Sequence, residues 1–366
     1  MDQPTFQEGA LSRPNLQERH YAPLKVKIIS HNDLDGHGPA LIAADFFWSY
    51  HPESQIDIEH VGDYYKVDAL IEAFTTSEKA KEYDFFFVTD LPVGEKGAIA
   101  IENFIRESDT LVRVIDHHRT ALWLNNHDWA EVTVKHDDML ECATTLVHDY
   151  LMSTILPMLE ERAEKANNIW TYMNQERTRA FAELIRSYDT WTWQNEDDPH
   201  GNDARRMNDL LYLIGSNAFV HRTFREDFSI AFDKTEELIL AIEENRRESY
   251  VEKKIESHQL EQLDDNTFFA FVEGDSYPND VADGVVKHLN ENGVFPQFIV
   301  IRKGGSLSFR TRNSDYDLSR LAPYFYGGGH KASAGGKLEN PHSVSNNRLF
   351  DKIRHYHNKL LQEVSE

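Results

Sequence analysis

The sequence has only one cysteine, Cys142, among its 366 residues. A single thiol cannot form a disulfide within the chain, and it cannot supply the thiolates of a structural zinc site. Positive charge is also scarce, since 38 Lys and Arg residues stand against 62 Asp and Glu residues and give a net charge of −24. Such a charge repels polyanions, so we expect no tight binding of long duplex nucleic acid. An anionic substrate would need local attraction by metal ions or by a small basic patch.

Long hydrophobic runs are missing as well. The most apolar stretch, ALIAADFFW, contains Asp45 and is far shorter than the roughly 20 residues of a membrane span. Residues 1–24 lack the apolar segment of a signal peptide and are predicted to form a polar N-terminal arm. We therefore expect a cytoplasmic protein that makes no contact with a membrane.

The remaining sequence alternates short apolar runs with helical segments. Apolar residues make up 40% of the chain and aromatic residues 11%, which is enough for a substantial core. The runs VKIIS, QIDIEHV, YDFFFV and LVRVI are separated by segments with helical spacing, a pattern typical of parallel sheets built from βαβ units. We predict an α/β fold.

The composition divides the chain into four segments. After the arm, residues 25–215 are predicted to form the first domain, which becomes mostly helical after its strands. Residues 216–263 are highly charged, carry apolar residues at helical spacing, and are predicted to form a helical linker. Strand signals return in TFFAFVEG and PQFIVIRK, so residues 264–366 are predicted to form a smaller second α/β domain.

Ligand-type side chains follow three of the predicted strands. They are, in chain order, His31, Asp33 and Asp35; Asp90; and Asp116, His117 and His118. The carboxyl ends of parallel strands are where open sheets bind ligands. Two carboxylates about 4 Å apart repel by roughly 4 kcal/mol, so such a group is expected to hold cations. Oxygen and imidazole ligands together suit Mn²⁺, Mg²⁺ or Fe²⁺, and two bridged ions can support phosphoryl transfer.

Two glycines follow the first group of ligands in the stretch SHNDLDGHG. We expect the strand to end at Ser30 and the alternate side chains beyond it to turn toward the cations. Gly36 and Gly38 are predicted to let the chain bend tightly into the next helix.

The ordered set of motifs resembles the DHH phosphoesterase family, which includes nanoRNase-like and RecJ-like enzymes. The matching segments are HNDLDG at 31–36, Asp90 in VTDLP, DHH at 116–118, and Asp189 in RSYDTW. Two later segments, SFRTR at 308–312 and YGGGHKASAGG at 326–336, resemble the phosphate-binding signature of the DHH-associated domain. The resemblance implies a parallel five-stranded sheet joined by a helical linker to a smaller α/β domain.

The resemblance also implies a site for two divalent metal ions, with Mn²⁺ as the first candidate and Mg²⁺ as the alternative. The implied ligands are His31, Asp33 and Asp90 for one ion and Asp35, Asp90, His117 and Asp189 for the other. Asp90 would bridge the ions, Asp116 would orient its neighbours, and His118 would support the site or touch the phosphate. These last three residues are the predicted catalytic group.

In the second domain, the resemblance implies a phosphate-binding surface. Consecutive glycines let backbone N–H groups approach a phosphate closely, and an arginine can bind it bidentately. The implied substrate-binding residues are Arg310, Arg312, Gly328, Gly329, His330 and Lys331.

These residues predict a metal-dependent phosphoesterase, and the acidic composition disfavours processive digestion of long DNA. The favoured prediction is an exonuclease or oligoribonuclease that degrades short oligonucleotides to nucleoside monophosphates. One alternative is hydrolysis of a cyclic or linear dinucleotide of the c-di-AMP or pApA type, or of 3′-phosphoadenosine 5′-phosphate. A nucleotide-binding or sensing protein without turnover is the alternative from another class. A homodimer is left open.

Overall fold

The structure is a computed structural model that describes residues 22–160, 175–329, 331–339 and 343–365. Most of the predicted N-terminal arm, residues 1–21, lies outside the described residues. The chain divides into two compact units, Met1–Leu240 and Ala241–Glu366. Within the described ranges, no helix combines the length and apolar character that crossing a membrane requires.

A five-stranded parallel sheet forms the centre of the first unit, as the sequence predicted. Its strands are β1 (Lys25–His31), β2 (Gln55–Val61), β3 (Phe85–Thr89), β4 (Leu111–Asp116) and β5 (Ala130–Val132), in the order β2-β1-β3-β4-β5. A short hairpin of β6 (Lys135–His136) and β7 (Met139–Leu140) follows. The central strand β3 is buried along its whole length, as a parallel strand covered on both faces should be.

Helices cover both faces of this sheet. They are α1 (Leu34–Tyr50), α2 (Val67–Thr75), α3 (Glu95–Glu107), α4 (Ala143–Tyr150), α5 (Leu156–Glu160), α6 (Gln175–Asp189), α7 (Asn202–Ile214) and α8 (Ser216–Arg225). Successive side chains of β3 point to opposite faces. Phe87 therefore packs in the apolar cluster that includes α1 and α6, whereas Phe86 packs in the cluster of α2 and α3.

The two glycines at the start of α1 lie where a side chain would meet neighbouring atoms. The strand extends to His31 and the helix begins at Leu34, so both glycines lie inside the helix. A Cβ on Gly36 would lie 2.0 Å from the His31 carbonyl oxygen, and one on Gly38 would lie 2.1 Å from Thr144 Oγ1. The close turn from β1 into α1 excludes a side chain at Gly36, and helix packing excludes one at Gly38.

The second unit is a smaller α/β domain, as predicted. Its sheet has the order β12-β13-β11-β10-β9-β8. The strands are β8 (Gln259–Gln262), β9 (Phe268–Glu273), β10 (Phe298–Lys303), β11 (Ser306–Arg310), β12 (Gly328–Gly329) and β13 (Ser333–Lys337). Its helices are α10 (Pro278–Glu291), α11 (Leu318–Leu321) and α12 (Asn346–Ser365). Strands β9 and β10 are parallel and are connected through α10.

The end of the predicted helical linker, residues 216–263, is a strand. Helix α9 (Lys234–Ser257) ends at Ser257, and the division between the two units falls inside it. Residues Gln259–Gln262 then pair antiparallel with β9 at the edge of the second sheet. The polar sequence QLEQ has no strand periodicity of its own, so the neighbouring strand decides its conformation.

The core of the second unit provides a stability test. Phe271 is 1% exposed and packs its ring against Phe350 at 4.9 Å, whereas Phe295 is 69% exposed. We expect Phe271→Ala to lower the free energy of unfolding by about 3–5 kcal/mol, because it leaves a cavity. Phe295→Ala in the same unit should change it by less than about 0.5 kcal/mol. Urea denaturation followed by circular dichroism measures both, and equal losses would contradict this packing.

Candidate functional site

The carboxyl edge of the first sheet brings the predicted ligands together. Strand β1 ends at His31, β4 ends at Asp116, and Asp90 directly follows the intervening strand β3. Asp90 adopts a left-handed backbone with φ of 56°, which is uncommon for a residue with a side chain. Its N–H donates to the Ile115 carbonyl at 3.1 Å, so the strand pairing fixes the residue beyond the end of β3.

The carboxylate of Asp90 lies between two histidines. His31 Nδ1 is 3.6 Å from Asp90 Oδ2, and His117 Nε2 is 3.3 Å from Asp90 Oδ1. Asp90 is 2% exposed, and its Oδ2 has no hydrogen-bond partner in the described part of the chain. Each oxygen of one buried carboxylate therefore faces a different group of ligand atoms.

These two groups share the same chemistry. The first contains His31, Asp33 and Asp90, with His31 Nδ1 2.8 Å from Asp33 Oδ2. The second contains His117 Nε2, which is 3.6 Å from both Asp35 Oδ2 and Asp189 Oδ2. Within each group the ligand atoms lie within 4.8 Å of one another. Each set of imidazole nitrogen and carboxylate oxygen atoms is a suitable donor set for a divalent cation such as Mn²⁺ or Mg²⁺.

Asp35 is held by the N-terminus of α4. Its Oδ2 accepts a hydrogen bond from the Ala143 N–H at 2.7 Å, and its Oδ1 accepts from the Thr144 N–H at 2.9 Å. The Thr144 hydroxyl donates to the same Oδ1 at 2.6 Å. A helix N-terminus favours negative charge, and these donors fix the orientation of the Asp35 side chain.

Asp116 orients both histidines that follow it. Its Oδ1 accepts from the His117 N–H at 2.8 Å and lies 2.7 Å from His118 Nδ1. Asp116 is fully buried. With the proton on Nδ1, His118 keeps Nε2 available for another partner, and its Nδ1 lies 3.9 Å from Asp90 Oδ1.

The pKa values of His31, His117 and Asp90 are all raised, but for different reasons. Burial opposes the charged form of His31, but the hydrogen bond to Asp33 and the charges of Asp33 and Asp90 outweigh it and raise its pKa to about 10. Burial also opposes the charge on His117, and its hydrogen bond to Asp90 with the nearby carboxylate charges raises its pKa to about 11. Burial, followed by the charge of Asp35, raises the pKa of Asp90 to about 6. Protonated imidazoles thus balance the acids in this arrangement.

The predicted arginines of the second unit differ in their surroundings. Arg310 Nε donates to Asn279 Oδ1 at 2.6 Å and its Nη1 to the Phe309 carbonyl at 2.9 Å, while its Nη2 has no partner among the described residues. Its guanidinium is therefore only partly free, and Nη2 is the nitrogen that remains for a phosphate. Arg312 forms an ion pair with Asp283. Its positive charge is already balanced by a carboxylate.

The three consecutive glycines at 327–329 are not all required for the same reason. A Cβ on Gly327 would lie 1.8 Å from the Gly335 carbonyl oxygen, and one on Gly329 would lie 2.6 Å from Ala334 Cα. Strand pairing with β13 therefore requires these two glycines, whereas a Cβ on Gly328 would meet no atom within 4 Å. Lys331 is exposed. The predicted ligand His330 lies outside the described residues.

Several residues at the first site were missed by the sequence reasoning. Ala143 and Thr144 lie 108 and 109 residues after Asp35, and no local spacing connects them to it. Tyr64 stacks on the ring of His31 at a centroid distance of 4.9 Å, although it comes from the segment after β2. The segment CATT was a detectable signal for the start of α4, but nothing in the sequence showed that this helix start binds Asp35.

Cation binding at this site should depend on pH. The protons on His31 and His117 must leave before their nitrogens can bind a cation, so affinity for Mn²⁺ should rise with pH. We expect a rise of roughly tenfold per pH unit for each proton released between pH 6 and pH 8. Calorimetry in two buffers of different ionisation enthalpy measures this release.

The control for this measurement is His136→Ala, because the His136 side chain is 73% exposed in the β6–β7 hairpin. It should leave the proton release unchanged, whereas His117→Ala should reduce it. Affinity for Mn²⁺ that does not change with pH would contradict the assignment of these imidazoles.

Comparisons with known proteins find similar sequences and similar folds. Oligoribonuclease NrnB of Bacillus subtilis (strain 168) is 31% identical over 318 residues, which cover 84% of this chain and 71% of that protein. RecJ of Thermus thermophilus in complex with Mn²⁺ has a similar fold, with a TM-score of 0.52 and 13% identity. That match covers 94% of this chain and 53% of RecJ, so the chain spans about half the length of RecJ.

The DHH domain of a member of a ribosomal protein family gives a TM-score of 0.50 at 13% identity. The match covers 92% of this chain and 87% of that domain. No model of a protein family matches the chain. The two structural matches show the fold, and the identity to the oligoribonuclease shows common descent over most of both chains. The chain belongs to the DHH phosphoesterase family of hydrolases acting on phosphodiester bonds.

Proposed function

We propose that this protein is a metal-dependent exonuclease that degrades short oligonucleotides to nucleoside monophosphates. The observation that carries the proposal is the placement of the two Asp90 oxygens against two separate groups of imidazole and carboxylate ligands. Two cations sharing one carboxylate form the type of centre that stabilises both oxygens of a phosphoryl displacement. The similarity to an oligoribonuclease supports the choice of substrate.

The donor set fits two divalent cations. The proposed ligands are His31, Asp33 and Asp90 for one ion and Asp35, His117 and Asp189 for the other, to which Asp90 is added because its Oδ1 lies 3.3 Å from His117 Nε2. Mn²⁺ is the first candidate and Mg²⁺ the alternative, because both accept mixed oxygen and imidazole ligands. Bound cations would supply Lewis-acid stabilisation of negative charge on the phosphoryl oxygens.

The proton chemistry is assigned to Asp116 and His118. The Asp116 carboxylate, 2.7 Å from His118 Nδ1, fixes the imidazole and leaves Nε2 as its outer nitrogen. Burial opposes the charged form of His118, but the hydrogen bond and charge of Asp116 outweigh it and raise its pKa. His118 is thus suited to donate a hydrogen bond from Nε2 to a phosphate oxygen and to protonate a leaving oxygen.

The preference for short substrates follows from charge. The net charge of −24 repels each additional phosphate, and cations at the site attract only the phosphates near it. In the second unit, Arg310 Nη2 is a donor without a partner in the described chain and is the proposed contact to a substrate phosphate. Arg312, Gly328, Gly329, His330 and Lys331 are proposed to line the same phosphate-binding surface.

The direct test is a Mn²⁺-supplemented assay on RNA of two, three, five and twenty nucleotides. We expect kcat/KM to be about tenfold or more higher on the short substrates than on the twenty-mer, because repulsion grows with each phosphate. Parallel assays on c-di-AMP, pApA and 3′-phosphoadenosine 5′-phosphate separate the dinucleotide and monoesterase activities. Equal or faster cleavage of the twenty-mer would contradict the proposed substrate length.

In the same assay, Asp90→Asn should lower kcat/KM at least about a hundredfold, since even residues outside the ligand sphere affect metal sites by 10–100-fold. The matched control is Asp109→Asn, because Asp109 is exposed and lies away from the carboxyl edge of the sheet. It should behave as the wild type. Normal activity of Asp90→Asn would exclude a bridging role for this carboxylate.

Substrate binding by the second unit has its own test. Arg310→Ala should raise KM about 10–100-fold, the expected cost of losing a charge-assisted hydrogen bond, while Mn²⁺ binding stays unchanged. Arg348→Ala is the matched control and should behave as the wild type, because Arg348 is an exposed arginine of α12 outside the proposed substrate-binding residues. Steady-state kinetics and calorimetry check both variants. Loss of Mn²⁺ binding in Arg310→Ala, or equal effects of the two substitutions, would contradict the assignment.

A further inference from the structure

Tyr64 lies against the first ligand group but takes no part in it. It begins the short helical turn Tyr64–Lys66 that follows β2. Its ring stacks on His31 with centroids 4.9 Å apart and planes 18° apart. The same ring presents an edge contact to His118 at 6.3 Å. Tyr64 therefore touches a proposed cation ligand and the proposed proton donor at once.

The fold leaves much of this side chain unused. Tyr64 is 47% exposed and belongs to neither apolar cluster of the first unit. Within the described ranges its hydroxyl has no hydrogen-bond partner, and its aromatic contacts are the stack on His31 and the edge contact with His118. His31 covers one face of the ring, and because 47% of the residue is exposed, the opposite face is the part left for a ligand.

We propose that the free face of Tyr64 is a stacking platform for a nucleobase of the substrate. This inference rests on the proposed function, because it requires a nucleotide substrate beside the His31 group. Every nucleobase has a flat face, so one aromatic ring can bind oligonucleotides without selecting a sequence. A base inside a duplex is already stacked on both sides, and only single-stranded or terminal bases are free to use the platform. Tyr64 would thus help to select short single-stranded substrates.

The test compares an RNA trinucleotide with a trinucleotide of the same backbone that carries no bases. The two are assayed with Mn²⁺ on the wild type and on Tyr64→Ala, Tyr64→Phe and Tyr65→Ala. Tyr65 is the matched control, because it is the next residue in the same turn, is 79% exposed, and hydrogen-bonds to Asp63 rather than to the site. Calorimetry with Mn²⁺ alone checks that the variants retain cation binding.

We expect the wild type to prefer the normal trinucleotide over the abasic one by about tenfold or more in kcat/KM, the typical effect of stacking one base. Tyr64→Ala should lose most of this preference, mainly through KM, with Mn²⁺ binding unchanged. Tyr64→Phe keeps the aromatic ring, and Tyr65→Ala leaves Tyr64 unchanged. Both variants should therefore retain the preference for the normal over the abasic trinucleotide.

Two results would overturn the platform and leave the proposed function in place. One is an unchanged preference in Tyr64→Ala, and the other is an equal loss on both substrates, which would mean that the ring only positions His31. Failure of the wild type to cleave either trinucleotide would instead overturn the proposed function, and the platform with it.

Discussion

The buried carboxylate of Asp90 is the group on which the rest of the site depends. It is held in a left-handed backbone conformation at the end of a fully buried strand, where water cannot compensate its charge. Burial and the neighbouring charge of Asp35 raise its pKa to about 6. The imidazoles of His117 and His31 oppose this rise, so the carboxylate is mostly ionised at neutral pH. The two imidazoles in contact with it, from His31 and His117, lie where the proposed cations would share it.

The surrounding elements make this concentration of charge tolerable. The N-terminus of α4 donates three hydrogen bonds to Asp35, so one acid is stabilised before any cation binds. Asp116 has a different task, because its Oδ1 is occupied by the two histidines that follow it. Because Gly38 has no side chain, α1 can approach Thr144 closely enough for the N-terminus of α4 to bind Asp35. Parallel strands, a helix N-terminus and a close helix contact thus position and stabilise one cluster of acids.

Much of this was predictable from the sequence, for identifiable reasons. Strand periodicity and the acids at three strand ends predicted the parallel sheet and the edge where His31, Asp90 and Asp116 meet. The conformation of 259–262 was not predictable, because an edge strand takes its structure from its neighbour. Thr144 was missed because its contact with Asp35 spans 109 residues, and the role of Gly38 depends on that same contact. The hydrogen bond that occupies Arg310 Nε was missed because its partner, Asn279, lies on another element.

The central claim is that Asp90 joins two cations. Anomalous diffraction from crystals soaked in Mn²⁺ tests it most directly, because each bound ion gives its own peak. The account predicts two peaks, one on the side of Asp90 Oδ2 near His31 and Asp33 and one on the side of Oδ1 near Asp35, His117 and Asp189. A single peak, or peaks that do not contact Asp90, would contradict it.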